Sequence, residues 1–396
     1  MLIRTTVVSV SAKSGFCMFA FALLLAACGG GGGSSGAGGS APAPTTTTTS
    51  RFAYVANFGV GTSANNTVSL YTVDAMTGQL RPNGADVTVG SAPASVTVDP
   101  SGKFVYVTNQ DSNDISAFKI DATTGTLAPV SGSPFPAEGA GPFCVTVDPT
   151  GKFAYVANRG FSTVSAFKIE VTGALTTVVG SPFPAGANPA SVTVHPSGKF
   201  LYVANQNTAN VSASTIDTVS AFTIDPGTGS LTPILGSPFR AGAKPTSITV
   251  DPSGKFVYVA NILSNNVSAF TIDAAGALAP VAGSPFAGFV SPASVTVDPS
   301  GKFAYVANRD AANVSAFTIE ASGALTAIPG SPFPTGQGPF SVIVDSSGKF
   351  AYTANQNSNN VSAFRIDATT GALVPSGTPA PTGRGPVSLA MTKGLP

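Results

Sequence analysis

From Arg51 onward the chain is written in short runs where apolar and small polar residues alternate. The clearest unit is Ala293–Pro339, ASVTVDPSGKFAYVANRDAANVSAFTIEASGALTAIPGSPFPTGQGP. Its pattern predicts four strands. S-V-T-V alternates small polar residues with Val and ends in Asp-Pro-Ser-Gly, with Pro at the second turn position and Gly where a positive φ is wanted. K-F-x-Y-V-A-N follows, then a polar loop, then V-S-A-F-T-I-D ending in a T-G or S-G turn. The last strand is A-L-x-P-V-x-G-S-P-F. Its prolines cannot donate to a ladder, which suits an outer edge. Period-2 patterning and frequent turn signals, with no helical period, make the fold all-β.

The unit recurs. With the S-V-T-V strand as phase mark, copies begin at Ala94, Phe143, Ala190, Thr246, Ala293, Phe340 and Val387, spaced 49, 47, 56, 47, 47 and 47 residues. Such periods belong to propellers. The long copy carries a local duplication, Val211–Asp217 followed by Val219–Asp225. Residues 51–93 lack the first strand, and residues 387–396 contain only that strand. Together they make one composite unit, so the reading is seven blades of four antiparallel strands, closed by the two ends of the chain.

Composition sharpens this picture. Only 9% of the residues are charged and 43% are apolar, against about 25% charged in an ordinary domain. Sheets covered on both faces account for that. The net charge of +1 gives no reason to expect nucleic acid. Residues 1–27 read as a secretory signal with Arg4 and Lys13 before an apolar run, and Leu25-Ala26-Ala27-Cys28 resembles the bacterial lipobox. Residues 28–50 are then a lipidated Cys28 and a flexible Gly/Ser/Thr/Pro linker, reaching roughly 25 Å on coil scaling. The propeller occupies residues 51–396. Gly29 after the cysteine resembles the outer-membrane sorting signal, so the expectation is an exported, monomeric protein held to the envelope membrane only by its lipid.

The repeated YVAN, with its variants YVTN at Tyr106–Asn109 and YTAN at Tyr352–Asn355, resembles the YVTN-type seven-bladed propellers. These sit in the lactonase superfamily that includes bacterial 6-phosphogluconolactonase. The resemblance covers residues 51–396. It implies the fold, and it implies lactone hydrolysis as one possible activity.

Most repeated polar residues read as scaffold. Asn57, Asn109, Asn158, Asn205, Asn261, Asn308 and Asn355 end their strands. Asp99, Asp148, Asp251, Asp298 and Asp345 cap the first turn, and His195 stands in that place in one unit. Chemistry is expected where the units differ, at one channel mouth. The residues after YVAN are Phe58, Gln110, Arg159, Gln206, Ile262, Arg309 and Gln356. Of these, Arg159, Arg309, Gln110, Gln206 and Gln356 are the candidate ligand contacts. Phe143 and Phe340 could narrow the mouth. A lactonase needs a base and a stabiliser for the oxyanion; Glu138 and Asp310 are the candidate bases. There is no His/Cys cluster for zinc, and the Asp111–Asp114 loop is a poor calcium site. Cys144 replaces a small Ser of the first strand and reads as a buried hydrophobe. No metal or cofactor is expected. The leading expectation is a non-catalytic binding or scaffold module for an envelope protein, peptide or glycan. The alternatives are a lactone hydrolase and a purely structural surface protein.

The anchor is directly testable. Cys28→Ser is expected to move the protein out of the membrane fraction on cell fractionation; a variant that stays membrane-bound contradicts lipidation at Cys28.

Overall fold

The computed structural model describes residues 51–59, 66–206 and 217–393. The expected signal, Cys28, the linker and most of the duplicated segment after Asn205 lie outside the described residues. What is described is all β: seven separate sheets, each an antiparallel blade whose strand order follows the chain from the inside outward. One blade is composite. Its strands Arg51–Asn57, Thr67–Val73 and Leu80–Pro82 are completed on the inside by Pro386–Met391, which pairs with Arg51–Asn57. Counting that blade as the first, the others follow in chain order, and the inner strand of each contacts the inner strands of both neighbours. The expected seven-bladed propeller, closed by both chain ends, is what the chain forms.

The outer strand differs from expectation in one respect. It is broken into two short pieces, such as Leu127–Pro129 and Phe135–Pro136, both paired with Asp114–Ile120. In five blades a G-S-P turn sits at the break, where proline has no N–H to offer the ladder. Serine of that turn fills the gap: Ala117 N–H donates to Ser133 Oγ at 2.8 Å, and the same bond recurs at Ser181, Ser237, Ser284 and Ser331.

The second strand is the buried centre of each blade. Phe104, Tyr106, Val105 and Val107 are all buried, Phe104 and Tyr106 packing toward the next blade and the two valines toward the previous one. A strand covered on both faces needs no polar face, which is where the chain's poverty of charge comes from. The turn before it is fastened by its aspartate. Asp99 Oδ1 accepts the Lys103 and Phe104 N–H groups at 2.7 Å each, and Oδ2 accepts Ser101 N–H at 3.0 Å. In the composite blade no such turn exists. Thr392 takes over: Phe52 N–H donates to Thr392 Oγ1 and Thr392 N–H donates to Phe52 O, each at 2.9 Å. Arg51 adds an ion pair to Asp345 of the last blade.

Blades are joined by one contact repeated around the ring. The tyrosine of each second strand donates its hydroxyl to the carbonyl of a turn glycine in the next blade. The pairs are Tyr54–Gly125, Tyr106–Gly173, Tyr155–Gly229, Tyr202–Gly276, Tyr258–Gly323, Tyr305–Gly371 and Tyr352–Gly78, at 2.8–3.1 Å. Burial pushes every one of these phenols upward in pKa. The phenylalanine two residues earlier packs against the same glycine. A methyl added to Gly173 would stand 2.3 Å from Phe104 Cδ1, and the residue has φ +85°.

The YVAN asparagines are scaffold. Asn109 Nδ2 donates to Asp114 Oδ1 at 2.6 Å and to Ser116 Oγ at 2.9 Å, tying the second strand to the third. Because Asp114 only accepts, the amide orientation is set. In six blades the asparagine Oδ1 is buried without a protein partner among the described residues. The last blade is different: Thr335 Oγ1 bonds Asn355 Oδ1 at 3.3 Å and Thr353 Oγ1 at 2.7 Å. The variant YTAN therefore comes with its own partner, since a hydroxyl at buried Thr353 requires one.

Two stability measurements follow. Gly102 and Gly173 both have positive φ, but a methyl at Gly102 meets nothing within 4 Å. Gly102→Ala is expected to cost about 1–2 kcal/mol from the backbone alone, and Gly173→Ala about 1–3 kcal/mol more from the clash. Equal losses in urea unfolding would contradict the Phe-on-Gly contact. Thr335→Ala is expected to cost about 1–3 kcal/mol, reduced when Thr353→Val is added; an undiminished loss in the double variant contradicts the coupled pair.

Candidate functional site

Each inner strand carries a bulge at its second residue. In the second blade Pro93 pairs with Asn109 and Ser95 with Thr108, leaving Ala94 as the extra residue. The same shift falls at Phe143, Ala190, Thr246, Ala293, Phe340 and Val387. Bulges re-aim side chains, and here they turn two consecutive residues per blade toward the axis. Five bulge positions hold Ala, Thr or Val; Phe143 and Phe340 are the large exceptions.

The result is an open cavity of about 250 Å³ at one mouth of the channel. Phe58, Ala94, Gln110, Phe143, Arg159, Phe340, Gln356 and Val387 line it. The wall is thus built from bulge residues and from the first residue after the second strand, in the last blade and the first three. Arg159 is its charged member among the described residues. The guanidinium lies over the Phe143 ring, with Cζ 4.9 Å from the centroid. Its Nη2 donates to Gln206 Oε1 at 2.9 Å. Gln206 is itself buried and anchored by its N–H on Asn188 O at 3.0 Å. Burial lowers the Arg159 pKa below the ordinary arginine value. A cation stacked on one face and bonded at one edge keeps its remaining N–H donors for a ligand.

Of the sequence-derived candidates, Arg159, Gln110 and Gln356 meet in this cavity, and Gln206 stands behind Arg159. Arg309 follows its strand in the sixth blade and is not part of the lining. Glu138 is exposed, with Oε1 accepting from Thr177 Oγ1 at 3.3 Å. Asp310 is exposed too, with Oδ2 accepting from Ser291 Oγ at 2.5 Å. Neither carboxylate lines the cavity. His195 serves the turn at the other face. Ser197 N–H donates to Nδ1 at 3.0 Å, so Nε2 carries the proton and donates to Gly254 O of the next blade at 2.9 Å. The link from Gln206 to Arg159 was not foreseen; the two side chains are 47 residues apart and only the ring makes them neighbours. Phe58, one of the mouth positions after YVAN, is also in the wall, whereas the bulge residues Ala94 and Val387 were missed.

Comparison with known proteins bears on what the cavity does. A profile of the family "Lactonase, 7-bladed beta-propeller" matches in three overlapping stretches, residues 35–147, 136–220 and 215–389. A 6-phosphogluconolactonase of Formosa agariphila is 34% identical over 77 residues, 19% of this chain; the matched stretch spans 21% of that relative's length. Among solved structures, a Bacteroides uniformis protein provisionally assigned as a 6-phosphogluconolactonase superposes with a TM-score of 0.74 at 22% identity, over 87% of this chain and 99% of that one. The Pseudomonas aeruginosa periplasmic gluconolactonase PpgL gives 0.70 at 20% identity, over 87% and 100%. At these identities the likeness to the two structures is one of fold.

The family match overturns the expectation of a non-catalytic binding or scaffold module. That expectation rested on near-uniform blades and on a mouth without an evident base. Uniform blades report only on the scaffold. A lactone is an activated ester, and stabilising its oxyanion is by itself a large part of the catalytic task.

Proposed function

The chain belongs to the lactonase family of seven-bladed β-propellers, and we propose that it hydrolyses a sugar lactone in the mouth cavity. The observation that carries this reading is Arg159: a cation held in place by Phe143 and Gln206 within an otherwise uncharged, partly aromatic wall. Water attacks the lactone carbonyl carbon. The carbonyl electrons move onto oxygen, and the oxyanion takes hydrogen bonds from the Arg159 guanidinium. Collapse breaks the bond from the carbonyl carbon to the ring oxygen. One proton of the attacking water ends on that oxygen as a hydroxyl, the other is lost to solvent, and the product is an aldonate. A donor already in place needs no reorganisation as the charge develops, and its field is stronger in a cavity than in water. Gln110 and Gln356 supply amides for the substrate hydroxyls, while Phe143 and Phe340 offer flat apolar walls to the ring.

The same proposal includes export. The apolar run before Cys28 and the linker after it support a propeller held near a membrane by a lipid, with substrate arriving from the surrounding envelope space.

Steady-state hydrolysis of a lactone panel tests the activity. Arg159→Ala is expected to lower kcat by about 10²–10³-fold, the cost of losing one oxyanion donor, with Arg159→Lys recovering part of it. Lys103→Ala, on the far face, should leave the rate unchanged. No turnover of any lactone by the unsubstituted protein, or full turnover by Arg159→Ala, contradicts the reading.

A further inference from the structure

Below the mouth lies a second cavity of about 100 Å³ on the propeller axis, and the two share Ala94, Phe143, Phe340 and Val387 as walls. Those four residues form a neck between an upper chamber and a lower one. The lower chamber is encircled by one side chain per blade: Ser95, Cys144, Ser191, Ser247, Ser294, Ser341 and Ser388. These are the residues that follow each bulge. The bulge turns this row as well toward the axis, where a regular strand would send alternate residues apart.

The hydroxyls are fixed in place. Ser95, Ser191, Ser247, Ser294 and Ser388 each accept a backbone N–H from the inner strand of the next blade, at 3.1–3.3 Å. A serine Oγ that accepts one such bond retains a second lone pair and a proton to place; Ser388 gives its proton to Val96 O at 3.5 Å, and Ser95 and Ser191 are hydrogen-bond neighbours of the Cys144 thiol. The ring therefore offers both donors and acceptors at set positions. Ser95 and Ser191 do so while only 7% and 9% exposed. Among the described residues the lower chamber has no charged side chain; its remaining lining is Ala, Thr, Val, Phe and the Cys144 thiol. An uncharged, hydrogen-bonding, narrow chamber beneath an aromatic neck matches one ligand chemistry, a neutral hydroxylated arm. A phosphate or carboxylate there would be desolvated without a cation to meet it.

We propose that the lower chamber is a specificity subsite that takes the uncharged hydroxylated arm of the ligand whose ring sits at Arg159. For a sugar lactone this means the hydroxymethyl arm beside the ring oxygen, passed between Phe143 and Phe340 toward the serine ring. The assignment of that ring to a lactone rests on the function proposed above; the subsite itself rests on the channel.

Cys144 gives access to it, because it is the one member of the ring that can be labelled or enlarged selectively. Burial raises its thiol pKa, so labelling is slow and easily timed. In the full chain, modification of Cys144 by methyl methanethiosulfonate, read at that residue by mass spectrometry, should slow severalfold when D-glucono-1,5-lactam is bound. It should not slow with δ-valerolactam, which has the ring but no arm. Cys144→Ile fills the chamber and should raise KM for D-glucono-1,5-lactone about tenfold, the worth of one lost hydrogen bond. It should leave the KM for δ-valerolactone, which has no arm, unaffected. The 6-phosphate of gluconolactone should compete poorly. A gluconolactam that binds by calorimetry yet leaves Cys144 labelling unchanged overturns the subsite, as does a preference for the 6-phosphate. Shielding of Cys144 without turnover of any lactone would support the subsite and defeat the lactonase reading.

Discussion

Each blade is held to the next by the Phe and Tyr of its second strand lying against a glycine of its neighbour. The hydroxyl bonds the glycine carbonyl and the Phe ring covers the space where a Cβ would stand. The same contact closes the circle, Tyr352 of the last blade reaching Gly78 of the first. Everything else in the structure depends on this spacing. It buries the second strand on both faces, and it brings the inner strands together so that their serines can bond one another's backbone. It also sets Arg159 beside Gln206 of the next blade. The chemistry of the mouth is thus a consequence of how closely neighbouring blades approach.

Much of the architecture was legible because a propeller writes it seven times. Strand content, the turn aspartates and the composite blade all follow from where the repeat begins and stops. The closure is confirmed atom by atom in the Phe52–Thr392 pair. What stayed hidden were relations between units. Gly173 reads as an ordinary turn glycine, and only the packed ring shows it receiving Phe104 and Tyr106. The bulge at Ala94 leaves no mark on a strand of small residues, because Ala, Ser and Thr tolerate either face. The partner of Thr353, the variant residue of YTAN, is Thr335, 18 residues away, and no motif points to it.

For the site, the useful signal was departure from the repeat. The position after the second strand varies from blade to blade, and three of its occupants, Arg159, Gln110 and Gln356, do meet in one cavity. Phe143 and Phe340 stand out as the large residues at bulge positions otherwise held by smaller ones. Function was harder to read, because the residues a search for catalysis favours, a histidine and exposed carboxylates, are here used for turns and rims. His195 spends both ring nitrogens on backbone and turn contacts. The group with the better claim is an arginine, whose importance comes from the aromatic beneath it and the buried amide beside it rather than from any motif.

The central claim is that this arginine receives the carbonyl oxygen of a lactone. A crystal structure of the protein with D-glucono-1,5-lactam bound addresses it most directly. The account predicts the lactam carbonyl within hydrogen-bond distance of the Arg159 guanidinium, with the ring between Phe143 and Phe340. Density for the ligand at the outer rim or the opposite face, with Arg159 uncontacted, would contradict it.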